Sequence, residues 1–512
     1  MSDLLPWTTR GVTFESRRYL ATVDIKATHS IGPIDADTPF TVAMRELTRL
    51  RGSRGGMIEY GCFSRDGTLI EDQGLLIGRQ IRNILYYTIR DLFNLSWQAQ
   101  GGRFSPGAPI DNDPVPEASE GRWGVLLSER CPDRAGVTEA LAPLVRHRDG
   151  RVVVMPAAQP DAFLPWLQEQ FNTGTLPPYL MICDTFEHIP LEYQFILNAF
   201  AATGRLWLDS PQATGSYVRK VLDVERGALV PGPRRVVATP MDDPVTAADY
   251  LGIISEVVPG LTGASGPLDV LAGGDFGEDT LLAAAGDAGL VAVYCHGVAL
   301  DEAAQARYPD LQGAFVLQFG AKDDQDLLRP DDLRGRPFAP GGIVFSPACL
   351  AGGTQANSDY AAWIDPRNLP PYLGSTTQAS ALSRALLASP DGPAALVMHF
   401  DISMGNSAPM YNPLTGDHDL QRDLHGRFLG RVLQGDTIGR ATGPFRWAAG
   451  AYYAQAIYVF GQIAGHTPYI GTSGRRKTIG NFVDSMNMYH VTATDMRNYI
   501  ILGDPAVRLR TA

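Results

Sequence analysis

The stretch "LVAVYCHG", residues 290–297, decides how this chain is read. Apolar side chains run without a polar break and stop at His296 and Gly297. A short unbroken apolar run suits a strand buried on both faces of a parallel sheet. The stretch "GGIVFSPAC", residues 341–349, repeats the design and ends in small residues at Cys349. In open parallel sheets, ligands sit beyond the carboxyl ends of the strands. Strands over 289–295 and 342–347 should therefore bring His296 and Cys349 out at one edge.

That pairing has a chemical use. A free thiol is only a few per cent thiolate at neutral pH, and a nearby imidazole collects its proton. The same imidazole can then protonate a leaving amine. Gly297 and the small residues around Cys349 let backbone N–H groups approach a developing oxyanion, and the amides of Gly297 and Cys349 are the expected donors. Taken singly, a cysteine in an apolar strand reads as packing and a histidine at a strand end as a surface residue. Cys295 should point to the opposite strand face from His296 and be structural.

Outward from these two strands the texture stays regular. Short β-rich runs appear at "WGVLLS", "RVVVMPA", "YLMICDT" and "GRLWLD", and again at "RRVVATP", "PLDVLAG" and "AALVMHFD". Helical segments lie between them, such as "GVTEALAPLVRH", "DAFLPWLQEQF", "AADYLGIISEVVPG" and "FGEDTLLAAAGDAG". Alternation of this kind implies crossover helices on mostly parallel sheets. The expectation is two α/β units in tandem, at 121–228 and 229–512. Before them, residues 101–120 are rich in Pro and Gly and read as a linker or long loop. Residues 1–100 form an N-terminal α+β segment, with helical spacing over 79–99.

Composition narrows the function. The chain has 512 residues, 45% apolar and 19% charged, which describes a globular protein with more than one core. A net charge of −12 argues against nucleic-acid binding. The amino-terminal residues lack a basic stretch followed by a long apolar one, and no apolar window is long enough to span a membrane. Five scattered cysteines, Cys62, Cys131, Cys183, Cys295 and Cys349, suit a reducing cytoplasm. There is no CxxC, HExxH or Walker loop, so neither a metal nor a cofactor is expected. His399, His418 and His425 fit no compact zinc spacing and read as structural.

"VAVYCHG" and "IVFSPACLAGG" resemble the His-Gly and Ala-Cys motifs of caspase-like cysteine peptidases, a group that includes gingipains and bacterial CHAT domains. The interval from His296 to Cys349 is close to that of caspases. "YLMICDTFEHIP", "ATGRLWLDSPQATGSYVRKVLDVE" and "NYIILGDPAVRLR" resemble further gingipain-type segments in the family's order. "ICD" stands where the family's "VGD" is usual, with Cys183 for Gly. The resemblance covers 121–512. It implies two caspase-like α/β subdomains with flanking helices, the second catalytic. It places the base role on His296 and the nucleophile role on Cys349. It also implies an acid from the first subdomain orienting the histidine. Glu187 is the nearest match, and it reads equally well as a solvated loop carboxylate.

Enzymes of this group read the residue before the cut with one pocket, and a basic preference needs a carboxylate there. Asp401 and Glu192 are the candidates, with a turn-capping role the alternative for Asp401; a small or apolar pocket stays open. Loop 320–341 lies between the catalytic strands as a candidate activation loop, and 404–427 is a second loop that would wall the pocket. The implied function is a cytoplasmic endopeptidase acting on a protein substrate and restrained by an activating protein partner. CHAT-like kinship adds cell death or antiphage defence, with a gasdermin-like pore former as target. The competing readings are a catalytically silent scaffold and another acyl-transfer enzyme built on the same dyad.

Overall fold

The structure is a computed structural model. It describes residues 122–156, 160–239, 266–272, 277–300, 302–317, 327–356, 358, 376–403, 420–453, 489 and 491–510. The N-terminal segment 1–100, the linker 101–120 and the helix expected at 247–260 lie outside these residues. The chain divides into two compact units. The smaller comprises Met1–Arg103, Asn357–Pro371 and Trp447–Met496; within it, Tyr453 and Thr494 join their hydroxyls at 2.9 Å. The larger comprises Phe104–Ala356, Tyr372–Arg446 and Arg497–Ala512. It carries every strand described below and the candidate site.

In the first half of the larger unit, β1 (Trp123–Ser128), β2 (Arg151–Met155), β3 (Tyr179–Ile182) and β4 (Ala202–Arg205) alternate with α1 (Arg134–His147), α2 (Pro160–Asn172) and α3 (Leu191–Leu197). Helix α4 (Pro211–Glu225) then leads out. It starts where Ser210 accepts from the Ala213 N–H at 3.1 Å and Pro211 presets the first turn. The second half supplies β5 (Arg234–Thr239), β6 (Leu268–Ala272), α5 (Glu278–Ala285), β7 (Ala288–Val293), β8 (His296–Gly297), β9 (Phe315–Val316), β10 (Leu327–Leu328) and β11 (Ile343–Ser346). It continues through β12 (Gly353–Thr354), β13 (Gln378–Ala379), α6 (Ala381–Ala388), β14 (Ala395–His399), α7 (Leu420–Leu433) and β15 (Tyr499–Gly503).

The α/β class expected from the sequence is what the structure has. The two series of strands meet in one ten-stranded sheet of order β2-β1-β3-β4-β15-β14-β11-β7-β5-β6. Its pairs are parallel except β14 with β15. The last strand is therefore the seam between the halves. Strands β1, β3, β7, β11 and β14 are buried along their whole length, which is why they read as unbroken apolar runs.

At the amino edge of β14, the Asp504 carboxylate holds the seam closed. It accepts from Trp123 Nε1 at 2.8 Å, the Ala506 N–H at 2.9 Å and Arg148 at 2.6 Å. Arg148 also meets Glu225, the last residue of α4, at 2.5 Å. The Tyr217 hydroxyl accepts from the Asp504 N–H and donates to the Ala394 carbonyl, both at 2.7 Å. A cavity of about 140 Å³ lined by Arg148, Glu225, Ala394, Val507, Arg508 and Arg510 opens at this edge. It lies at the far end of β14 from Cys349 and belongs to this strut.

Candidate functional site

Cys349 stands on a turn after β11. The chain leaves the sheet at Pro347, and Ala351 donates back to the Ala348 carbonyl at 3.2 Å. Leu350 sits at φ +60°, a left-handed conformation a branched side chain adopts only under constraint. The constraint is visible. Leu350 N–H donates to the Asp401 carbonyl at 2.9 Å, Gly353 N–H to the Leu350 carbonyl at 3.0 Å, and Gly352 N–H to the His399 carbonyl at 2.9 Å. The segment after β14 thus grips the turn after β11. That grip extends to the sulfur: the Ser403 N–H donates to Cys349 Sγ at 3.3 Å. The same sulfur stands 3.7 Å from the Ser403 carbonyl oxygen, so residue 403 brackets Cys349 with both a donor and an acceptor. Cys349 is half-buried, whereas Cys131, Cys183 and Cys295 are buried. Burial pushes the Cys131 thiol up to about 12 and raises those of Cys183 and Cys295 as well.

His296 does not cap β7 as the sequence suggested. That strand stops at Val293; Tyr294 N–H still reaches Ala238 of β5 at 2.8 Å, and then the chain turns out of the sheet. His296 and Gly297 form β8, pairing antiparallel with β9 in a separate three-stranded sheet, β10-β9-β8. Part of the expected loop 320–341 is thus structured, since β10 pairs with β9. Likewise α7 takes up residues 420–427 of the expected loop 404–427, whose remainder from 404 to 419, His418 included, lies outside the described residues. Cys295, in the break between β7 and β8, is 2% exposed, and His296 is half-buried.

This small sheet lies against the cysteine turn. A β-carbon on Gly297 would overlap the Cys349 carbonyl oxygen and stand 2.9 Å from its carbon. Only a glycine lets the two backbones approach so closely. The Val298 N–H donates to the Ala314 carbonyl at 2.9 Å, so alternation along β8 turns the Gly297 N–H away from β9. The structure therefore brings the peptide after His296 and the backbone of Cys349 into contact.

Of the other expected residues, Asp401 backs the cysteine turn through its carbonyl, while Glu187 follows β3 and Glu192 lies in α3. Glu187 is exposed and makes no hydrogen bond or ion pair among the described residues. It lies in the loop after β3, beside Phe186, whose ring centroid is 5.2 Å from that of Phe400, directly after β14. The carboxylate that organises that loop is Asp184, which the sequence reading missed. It is fully buried, accepts from the Ser128 and Thr185 N–H groups at 2.7 and 2.8 Å, and pairs with His188 at 3.1 Å. Its one sequence trace is an acid directly after a fully apolar strand.

Glu192 is half-buried in the first turn of α3, and its charge acts on Arg205. Burial pulls the Arg205 guanidinium down to about 9, opposed by Asp184 and Glu192. Arg205 laces the loop through Gln194, the Asp184 carbonyl and the Ile189 carbonyl at 2.9, 3.1 and 2.7 Å. Asp401 is 1% exposed. Its carboxylate accepts from Ile402 N–H at 2.7 Å and Gln355 Nε2 at 3.3 Å, a turn-bracing role in which it does not face solvent.

His399 and His425 are buried. The first donates Nδ1 to the Asp401 carbonyl at 2.8 Å, and the second pairs with the Tyr499 hydroxyl at 3.0 Å. Among the described residues no cluster of three or more His, Cys, Asp or Glu has metal-binding geometry, and no helix is long and apolar enough to cross a membrane.

No protein-family model matches the chain, and no curated protein matches it. A solved structure described as "Structure of Protease" aligns with 77% of this chain and 79% of its own length, at 12% identity and a TM-score of 0.45. A likeness of that size carries no argument about chemistry, which rests on the site.

Proposed function

We propose that the protein is a cysteine endopeptidase with Cys349 as nucleophile and His296 as general base. The observation that carries this is the close approach of Gly297 to the Cys349 backbone, with the Ser403 N–H on the sulfur. In the proposed reaction His296 takes the thiol proton and the sulfur attacks the scissile carbonyl. The oxyanion is met by the amides of Gly297 and Cys349. His296 then gives its proton to the leaving amine as the C–N bond breaks. Water, deprotonated by the same imidazole, attacks the resulting thioester; the acid is released and the thiol restored. None of these steps requires a cofactor.

The gingipain-type and CHAT-like resemblance extends the reading to a regulated cytoplasmic enzyme. It would cut a specific protein, such as a gasdermin-like pore former in cell death or antiphage defence, when a protein partner releases it. Glu192 and Asp401 are both engaged inside the fold, which favours a small or apolar specificity pocket over a carboxylate-lined one. The test is a peptide library with a cysteine-reactive peptide probe. Wild type should cleave and be labelled at Cys349; Cys349→Ala and His296→Ala should fold and lose turnover. Labelling and cleavage that persist in Cys349→Ala would overturn the assignment, and an unlabelled wild type would favour the scaffold reading.

A further inference from the structure

We infer that Ser346 is a positioning residue that sets the His296-bearing and Cys349-bearing segments against each other; this rests on the peptidase reading above. The β7–β11 ladder pairs Leu290 with Ile343, Val291 with Val344 and Ala292 with Phe345. Tyr294 N–H points to β5, at Ala238, so alternation turns the Val293 peptide groups toward β11. The donor that a parallel ladder would next offer to the Val293 carbonyl is the amide of residue 347. That residue is Pro347, which has no N–H.

Ser346 fills the gap. Its hydroxyl donates to the Val293 carbonyl at 2.8 Å and accepts from the Ala348 N–H at 3.2 Å. The side chain is fully buried, where an unmet carbonyl and amide are costly. Val293 stands three residues before His296, and Ser346 stands three before Cys349. One hydroxyl therefore fastens both chains at the point where they part to carry the dyad. Pro347 turns the chain out of the sheet, and Ser346 keeps that departure from loosening the turn.

The experiment compares wild type, Ser346→Ala and the double variant Ser346→Ala/Pro347→Ala, in which an alanine amide returns the missing ladder donor. Two readouts are taken on the full chain: turnover of the best library peptide, and the pH dependence of iodoacetamide alkylation at Cys349, followed by mass spectrometry. Ser346→Ala should lose turnover on the order of 100-fold in kcat with KM within about twofold, since misplacement near 1 Å costs that much. Its alkylation profile should shift along the pH axis. The double variant should recover about 10-fold in kcat and move the profile back. If Ser346→Ala unfolds, the double variant is compared with wild type directly, and a folded protein with a rate within about 10-fold of wild type supports the role. Ser346→Ala with unchanged kcat and an unchanged profile, whatever its melting temperature, overturns it. A shifted profile in a protein that cleaves no peptide would leave the positioning role standing and the peptidase reading refuted.

Discussion

Replacing Gly297 with alanine tests the contact on which the site depends. The added β-carbon would stand 2.9 Å from the carbonyl carbon of Cys349 and overlap its oxygen. Carbon–carbon contacts settle at about 3.5–4.0 Å. Relieving the carbon contact alone therefore parts β8 from the cysteine turn by roughly 0.6–1 Å, and the oxygen demands more. Both partners are backbone, so no rotamer change relieves the overlap. Leu350, the next residue, is already held in a left-handed conformation and pinned to Asp401, which leaves the turn little freedom to retreat.

In the proposed peptidase the displacement would change the spacing between His296 and Cys349, where about 1 Å costs around 100-fold in rate. The stability cost of such overpacking is about 1–3 kcal/mol. Gly297→Ala should thus melt a few degrees lower and turn over the best peptide about 100-fold more slowly. The assay is steady-state cleavage alongside thermal unfolding. A Gly297→Ala protein with wild-type kcat/KM would refute the claim that the two backbones meet in the working enzyme.

Further expectations follow from the buried groups. In native protein at pH 7–8, iodoacetamide should modify Cys349 well before Cys131, Cys183 or Cys295, whose thiols burial raises; peptide mapping reads the order. Lys220 is 4% exposed, donates to the Leu387 and Ser389 carbonyls at 2.8 Å, and is pulled down by burial to about 7. Between pH 7 and about 10.5 the unfolded chain binds a proton that the folded chain does not, so stability rises with pH across that window. The gain, a few kcal/mol at most, is absent below pH 7. Denaturant titrations of Lys220→Met should lose that slope, and parallel slopes would contradict it. Asp504→Ala leaves the Trp123 indole N–H and the Ala506 N–H without their acceptor and Arg148 with Glu225 alone; it should cost about 1–3 kcal/mol, measured by denaturant unfolding.

The sheet was legible because its central strands β1, β3, β7, β11 and β14 are buried along their whole length and leave continuous apolar runs. Direction is not carried by that pattern, so nothing in "NYIILGDP" distinguishes the antiparallel β15 from its parallel neighbours. The run "GRLWLD" placed a strand at 204–209, whereas β4 occupies Ala202–Arg205. Leu206 and Leu208 are buried without belonging to the sheet, and burial alone cannot tell the two cases apart. The setting of His296 was not legible. A two-residue strand in a hairpin leaves no periodicity to read, and the break at Tyr294–Cys295 is apolar like the strand before it. Glu187 was chosen by motif order, while Asp184 gained its role from backbone amides that only the fold assembles.

The placement of β15 has a consequence for biosynthesis. Residues 499–503 leave the ribosome after every other strand of the sheet, yet they alone bridge β4 and β14. Between the synthesis of β14 and that of β15, a nascent chain therefore holds strands β4 and β14 whose shared partner has not yet been made. A ribosome stalled short of this stretch would leave a sticky, divided intermediate, and chaperone demand should peak in that interval and fall once the last strand slots home.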